Sequence, residues 1–184
     1  MRYLKLSVTL TGLFAIIWFV LGCNGYQKPG NGGAQITSAI CVLHPTNGHG
    51  VSGTVRFTKV EGGIRVVAEL DSLAPGQHGF HIHQYGDCSS GDGKSAGGHF
   101  NPAGVAHGSP DSTVHHVGDL GNVVADSTGH GSLDRIYPFL SFSGKNSIIG
   151  RAVIVHQKAD DLTSQPTGAA GARVACGVIG IAKP

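Results

Sequence analysis

The sequence predicts an all-β protein, a barrel or sandwich of eight strands with two long functional loops. Glycine is very frequent, at 30 of 184 residues, and only 13% of the residues are charged. Val and Ile recur in short runs, a composition that favours strands over helices. Turn sequences such as Glu61-Gly62-Gly63 and Ala74-Pro75-Gly76 separate many of these runs. The class is therefore all-β, in one domain.

Eight runs rich in Val, Ile and Phe are the predicted strands. They cover residues 36–43, 51–59, 64–70, 78–84, 120–125, 131–136, 149–156 and 173–182. Two connections, 85–118 and 157–172, are too long to be simple turns. Long loops in a compact domain usually have a function or something that pins them. Because the first long loop contains most of the unusual histidines, we expect the function there.

The amino terminus has the layout of a secretory signal. Arg2 and Lys5 precede an apolar run over residues 6–21. This run is shorter than the roughly 20 residues that a membrane-spanning helix usually needs. Residues 20–23, Val-Leu-Gly-Cys, resemble a bacterial lipobox, in which Cys23 is acylated and becomes the new amino terminus. Residues 1–22 are thus a predicted signal peptide, and an ordinary cleaved signal without acylation is the alternative.

Residues 23–35 are the predicted lipidated tether, because they are rich in Gly, Asn and Pro and lack an apolar period. The folded domain is then 36–184. Asn24, directly after the acylated cysteine, is typical of lipoproteins sent to the outer membrane. The expected location is therefore the periplasm or cell envelope, anchored to a membrane by lipid.

The charge balance excludes a nucleic-acid partner. The chain has 13 Lys plus Arg and 11 Asp plus Glu. Removal of residues 1–22 takes away Arg2 and Lys5, so the mature chain has 11 of each sign. A neutral chain without a basic patch lacks the electrostatic footprint of a nucleic-acid-binding protein.

Three cysteines remain once Cys23 is assigned to lipid. Cys41 occupies an inward position of an alternating run, which predicts a buried core thiol. Cys88 and Cys176 are then the candidates for a disulfide, and such a bond fits an exported protein.

Two histidines in the fourth predicted strand have the spacing of metal ligands. His81 and His83 are two residues apart, so their side chains project from the same face of a strand. His156 ends the apolar run 152–155 and completes a site with them if that strand ends nearby. Imidazole ligands suit copper.

The first long loop contains a second candidate set. His99, His107, His116 and Asp119 offer three nitrogens and one carboxylate, a suitable tetrahedral set for zinc. A metal held in this way would also keep a loop rich in Gly and Pro ordered. The other histidines show no partner pattern, and we expect them to be structural or solvated: His44, His49, His78, His115 and His130.

Five motifs in order carry a family resemblance. They are GFHIHQYGDC at 79–88, GGHFNP at 97–102, HVGDLGNV at 116–123, IIGRAVIVHQKADDL at 148–162 and GARVACGVIGIA at 171–182. The chain resembles the copper-zinc superoxide dismutase family over about residues 36–182. The resemblance implies a Greek-key barrel and dismutation of superoxide to oxygen and hydrogen peroxide, by alternating reduction and oxidation of a histidine-bound copper beside a structural zinc.

The same resemblance assigns roles to individual residues. It implies a copper site of His81, His83, His99 and His156 and a zinc site of His99, His107, His116 and Asp119. His99 is then shared by both metals and is catalytic. Asp160 is implied as the carboxylate that hydrogen-bonds one ligand of each metal, Arg173 as the catalytic cation that guides superoxide, and Thr167 as a residue of the channel mouth.

The sequence departs from the animal enzymes in three places. Cys88 directly follows Gly86-Asp87, and is thus earlier in the chain. Residues 164–166, Ser-Gln-Pro, replace a charged run, so guidance of the substrate is expected to rest mostly on Arg173. Tyr85-Gly86, Ile149, Val178 and Ile181 resemble the homodimer face of the eukaryotic enzymes, whereas many bacterial relatives dimerise differently, which leaves the oligomeric state open.

A metal carrier built on the same barrel is the alternative from a different functional class, because a fold alone does not determine function. Degenerate carriers are expected to lack a ligand or the arginine. All the implied ligands and Arg173 are present here, so the sequence favours the enzyme.

Overall fold

Eight strands form the framework of the part of the chain that the computed structural model describes, residues 35–183. They are β1 (Ser38–Pro45), β2 (Ser52–Val60), β3 (Gly63–Asp71), β4 (Gly76–His83), β5 (Asp119–Ala125), β6 (Gly131–Tyr137), β7 (Ala152–His156) and β8 (Arg173–Ile181). One short 3₁₀ turn, Lys94–Ala96, lies in the first long loop.

The strands close into an antiparallel barrel with the order β1-β2-β3-β6-β5-β4-β7-β8. The strands β4, β5 and β6 are consecutive neighbours, and β7 returns to lie beside β4, which is a Greek-key connection. The predicted all-β Greek-key barrel is confirmed.

The interior is filled by alternate residues of each strand. In β3, for example, Ile64, Val66, Ala68 and Leu70 are buried while the residues between them are more exposed. The strand β7 differs, because all five of its residues are buried. A strand buried on both faces needs a cover on the outside of the barrel, and the two long loops at 84–118 and 157–172 follow the strands that carry the histidines.

The seventh strand begins later than predicted. The sequence predicted a strand over 149–156, but β7 starts at Ala152. Gly150 has a φ of 76°, in the left-handed region, and its N–H donates to the Ile179 carbonyl. This turn ends the connection 138–151, a third long loop that the sequence analysis did not identify.

A disulfide ties the first long loop to the last strand. It joins Cys88 to Cys176 of β8. Cys41 is a free, fully buried thiol, and burial raises its pKa to about 12, so it is unreactive at neutral pH.

The predicted signal peptide, nearly all of the tether, and Cys23 lie outside the described residues. Within residues 35–183, no helix has the length and apolar character required to cross a membrane.

We predict that the disulfide contributes strongly to stability because it closes a chain separation of 88 residues. The chain-entropy model gives a loop of this size about 4 to 5 kcal/mol as an upper figure. Reduction should therefore lower the free energy of unfolding of the parent, measured by chemical denaturation, but leave Cys88→Ser unchanged. Equal denaturation midpoints for the oxidised and reduced parent would contradict this.

Candidate metal centre

The strand β4 directs His81 and His83 away from the barrel interior. Phe80 and Ile82 belong to the hydrophobic core, so the alternate residues His81 and His83 project from the opposite face. Both histidines are nevertheless fully buried. The centre therefore lies on the outer surface of the barrel wall, under a cover of loops.

The structure brings four histidines together at this face. One ring nitrogen from each of His81, His83, His99 and His156 lies within 4.8 Å of all the others. His99 reaches β4 through an isolated antiparallel bridge with His83. His156 ends β7, where Val153 and Val155 point into the core and the residues between them face outward. The period of two thus explains His81, His83 and His156.

A second cluster lies next to the first and contains His99, His107, His116 and Asp119. The Nδ1 atoms of the three histidines are 2.7, 3.0 and 3.2 Å from the Asp119 carboxylate oxygens, in that order. Ligand atoms of a tetrahedral zinc ion, with bonds of about 2.0 Å, are separated by roughly 3.3 Å. The spacing is close to that of a zinc shell.

His99 belongs to both clusters. Its Nδ1 faces Asp119, while its Nε2 is buried on the other side of the ring. The His99 and His81 ring centroids are only 4.0 Å apart. One imidazole therefore separates the two sites and presents a nitrogen to each.

Six buried ring nitrogens have no hydrogen-bond partner within residues 35–183: His81 Nδ1, His83 Nε2, His99 Nε2, His107 Nδ1, His116 Nδ1 and His156 Nε2. Buried polar atoms without partners are rare and unfavourable in native proteins. These six belong to the residues of the two clusters. The donor sets therefore fit a histidine-bound copper and a three-histidine, one-carboxylate zinc.

The opposite nitrogens of five of these rings are held by oxygen acceptors. Asp160 accepts from His81 Nε2 at 2.8 Å and from His107 Nε2 at 3.0 Å. Backbone carbonyls of Gly97, Val105 and Gly171 face the outer nitrogens of His83, His116 and His156. Such contacts fix the tautomer and orientation of a metal-binding histidine. The inner nitrogens are thereby directed toward the two clusters, where a metal could bind them.

The electrostatics of the first cluster favour neutral imidazoles. Burial lowers the pKa of His99 to about 4 and that of His156 to about 3. Burial also holds the pKa of His83 well below its ordinary value. Since a metal binds the unprotonated ring, these histidines need not lose a proton at neutral pH.

The second cluster is more negative. Burial would lower the pKa of His107, but Asp119 and Asp160 outweigh burial and raise it to about 9. Burial would likewise raise the pKa of Asp119, yet the nearby rings of His107 and His99 lower it strongly. Two ionised carboxylates beside three imidazoles suit a divalent cation, which would replace the proton that they stabilise on His107.

An open cleft of about 510 Å³ leads to the first cluster, and its lining includes His83, Asp92, Lys94, His156, Thr167 and Arg173. The Arg173 guanidinium is half-buried and donates to the Gly93 carbonyl and, at 2.6 Å, to the Gly97 carbonyl. The cleft thus has a fixed cation close to two histidines of the cluster.

Sequence reasoning missed two charged residues of the cleft. Asp92 and Lys94 lie on the wall and form an ion pair of 2.9 Å. They belong to an irregular loop, where no periodicity indicates the direction of a side chain. Guidance of the substrate was expected to rest mostly on Arg173, but Asp92 and Lys94 also contribute to the charge of the cleft wall.

The five histidines without a partner pattern belong to neither cluster. His115, the nearest in sequence to the zinc set, packs against Phe139 with ring centroids 4.3 Å apart. His78 is buried, and its two nitrogens face the carbonyls of Ala74 and His156.

Comparison with known proteins decides the family. The family model described as copper/zinc superoxide dismutase matches residues 51–179. The chain belongs to this family. An extracellular superoxide dismutase [Cu-Zn] of Brugia pahangi is 44% identical over 156 residues, which cover 80% of this chain and 77% of that protein. A superoxide dismutase [Cu-Zn] of Paramecium bursaria Chlorella virus 1 is 44% identical over 153 residues, 79% of each chain.

A solved structure shares the fold of this chain. The crystal structure of the clock protein EA4 is 45% identical, with a TM-score of 0.74, and the match covers 80% of this chain and 96% of that one. The expected enzyme class and the expected metals, copper and zinc, are those of the family and are confirmed.

Proposed function

We propose that this superoxide dismutase divides its metals between the two clusters, with His99 shared. Copper would be held by His81, His83, His99 and His156, and zinc by His99, His107, His116 and Asp119. The observation that carries the proposal is the orientation of His99, whose two ring nitrogens face different clusters. Bound copper supplies the alternating one-electron oxidation and reduction, and bound zinc keeps the second nitrogen of His99 engaged.

His99 also moves a proton in the proposed mechanism. Two superoxide ions and two protons give one oxygen and one hydrogen peroxide, so a proton donor is needed near the substrate. The Nε2 of His99 lies on the side of the first cluster; when no metal engages it, it would take up one proton from solvent and pass it to the product, and solvent would supply the second proton. Its Nδ1 remains directed at the second cluster, so the ring keeps its orientation.

Arg173 attracts and orients the anionic substrate. Its guanidinium is always charged, and two backbone carbonyls hold it in the cleft. Thr167 lies on the same cleft and narrows its mouth. Lys94 adds positive charge to the wall and Asp92 subtracts it, so both adjust the field that superoxide meets.

Metal analysis together with a superoxide-decay assay tests the function directly. The purified mature domain should contain one copper and one zinc per chain and accelerate the decay. A domain that takes up both metals without accelerating the decay would instead be a carrier or buffer.

We also propose a homodimer through the outer face of β1 and β8. Val42, Val178 and Ile181 are exposed there, and Tyr85 of the first long loop is exposed as well. An apolar groove lined by Ile40 and other residues of β1 and β8 runs along the same face. Ile149, which the sequence also placed on the homodimer face, is half-buried and therefore less exposed than these residues. Sedimentation velocity of the purified protein would test this proposal: the mass of two chains would support the homodimer, and the mass of one chain would contradict it.

Export with lipid anchoring in a bacterial envelope is the proposed location, with boundaries at 1–22, 23–35 and 36–184. The amino-terminal signal and the Cys88–Cys176 disulfide support export, and one relative is described as extracellular. Acyl analysis of Cys23 in the mature protein separates the anchored form from an ordinary cleaved signal.

We predict that His99→Ala and His107→Ala differ in their effects. His99→Ala should abolish activity and disturb both metals, because only this ring belongs to both clusters. His107→Ala should mainly weaken zinc binding and leave about one copper per chain. His115→Ala is the matched control, since His115 is in the same loop but in neither cluster. A His99→Ala variant with the copper spectrum of the parent would refute the shared ligand.

We predict that the charges of the cleft set the salt dependence of the rate. Arg173→Ala should lower the second-order rate about tenfold, at the lower end of electrostatic steering, and flatten its fall with salt. Asp92→Asn should raise the rate at low salt, by less than about threefold, because an exposed charge is screened. Lys59→Ala on β2, outside the cleft, is the control. An unchanged rate for Arg173→Glu at low salt would exclude guidance by Arg173.

A further inference from the structure

The side chain of Gln165 is bonded to the backbone of His107 at two points. The His107 N–H donates to Gln165 Oε1 at 2.8 Å, and Gln165 Nε2 donates to the His107 carbonyl at 2.9 Å. The two residues are 58 positions apart in the chain, in different long loops. One N–H and one carbonyl of His107 are thus both hydrogen-bonded to the same group, as they are in a hydrogen-bonded pair of an antiparallel sheet.

His107 has little other backbone support. It lies in a stretch of the first long loop, residues 104–109, that has no regular secondary structure. Among the described residues, the only hydrogen bonds made by its backbone N–H and carbonyl are those to Gln165. The backbone of this histidine is therefore positioned from the opposite loop.

Gln165 belongs to a compact turn within residues 161–168. The Asp161 side chain accepts from the backbone N–H groups of Thr163 and Ser164, and the Gly168 N–H donates to the Ser164 carbonyl. Gln165 Nε2 also donates to the Thr163 carbonyl at 3.1 Å. The amide group is thus oriented before it contacts His107, which is the condition for precise positioning.

The same loop also contacts the His107 ring. Asp160 accepts from its Nε2 at 3.0 Å. Gly168 packs against this contact: a Cβ at that position would overlap the Asp160 carboxylate and come within 2.8 Å of His107 Nε2. One loop therefore contacts His107 at both its ring and its backbone.

We propose that Gln165 is a positioning residue for the zinc ligand His107, and that it links the zinc site to the wall of the substrate cleft. The link follows from the chain, because Thr167, which lines the cleft, is two residues after Gln165. The inference rests on the proposed zinc ligands. Gln165 touches neither the ring nitrogens nor the substrate, so it acts only through His107.

Zinc affinity and the cobalt(II) spectrum test this proposal in the mature protein. Gln165→Met keeps the length of the side chain but removes both hydrogen bonds. It should raise the zinc dissociation constant, measured by competition with a chromophoric chelator, about tenfold, the lower end of the effect of residues that orient metal ligands. It should also change the visible spectrum of cobalt(II) bound in place of zinc. The copper affinity of the zinc-loaded protein should stay that of the parent.

Gln157→Met is the matched control. Gln157 is exposed in the same loop, and its side chain makes no hydrogen bond to the part of the chain that the structure describes. This variant should keep the zinc affinity and cobalt spectrum of the parent. The denaturation midpoints of the two metal-free variants should agree, because Gln165 is itself exposed.

Two results would overturn the proposal, and only the second would also overturn the proposed zinc ligands. If Gln165→Met keeps the parent's zinc affinity and cobalt spectrum, Gln165 has no positioning role, whether or not the metal-free variant is less stable. If the parent itself takes up no zinc at His107, the ligand assignment fails and this inference fails with it.

Discussion

Burying an imidazole nitrogen without a partner costs roughly 1 to 3 kcal/mol, and this protein buries six of them in two adjoining clusters. Several kcal/mol of this kind are comparable with the net stability of a typical domain. Metal binding at the proposed sites would offset that cost, because each unpartnered nitrogen would gain a ligand bond. The barrel therefore supplies the wall on which an unfavourable arrangement of rings is assembled.

The loops that complete the centre have little apolar core of their own. The small cluster under the first loop contains Ala96, Ala152, Ile154 and Cys176. Other connections hold the loops in place: the disulfide to β8, and Asp160, which contacts a ring from each cluster. Each of these joins a loop to the barrel or to the other site, so the position of the rings depends on long-range contacts rather than on local structure.

That dependence explains how far sequence reasoning reached. The alternation of β4 was sufficient to place His81 and His83 on one face, because a strand has a period of two, whereas the approach of His156 depended on where its strand ends. No such period exists in the loops, so the grouping of His107 and His116 with Asp119 depended on ligand chemistry and on a family resemblance. Gln165 and Lys94 had neither signal, since their roles follow from the approach of segments distant in the chain. The error at β7 arose because an apolar run continued across Gly150, and only the backbone angle shows the turn.

The geometry of the cleft also separates two kinds of electrostatic influence. Arg173 is half-buried and held by two carbonyls, next to histidines of the first cluster, where the low local polarity strengthens its field. The Lys94 ammonium is 80% exposed and paired with Asp92, and exposed pairs contribute little net interaction. At physiological salt, charges on the surface are screened over about 8 Å. In the proposed mechanism, the outer pair would therefore act mainly on the approach of an anion at low salt, whereas Arg173 would also act on its final position beside the rings. Because Arg173 is less exposed than the outer pair, its contribution should fall less steeply with added salt.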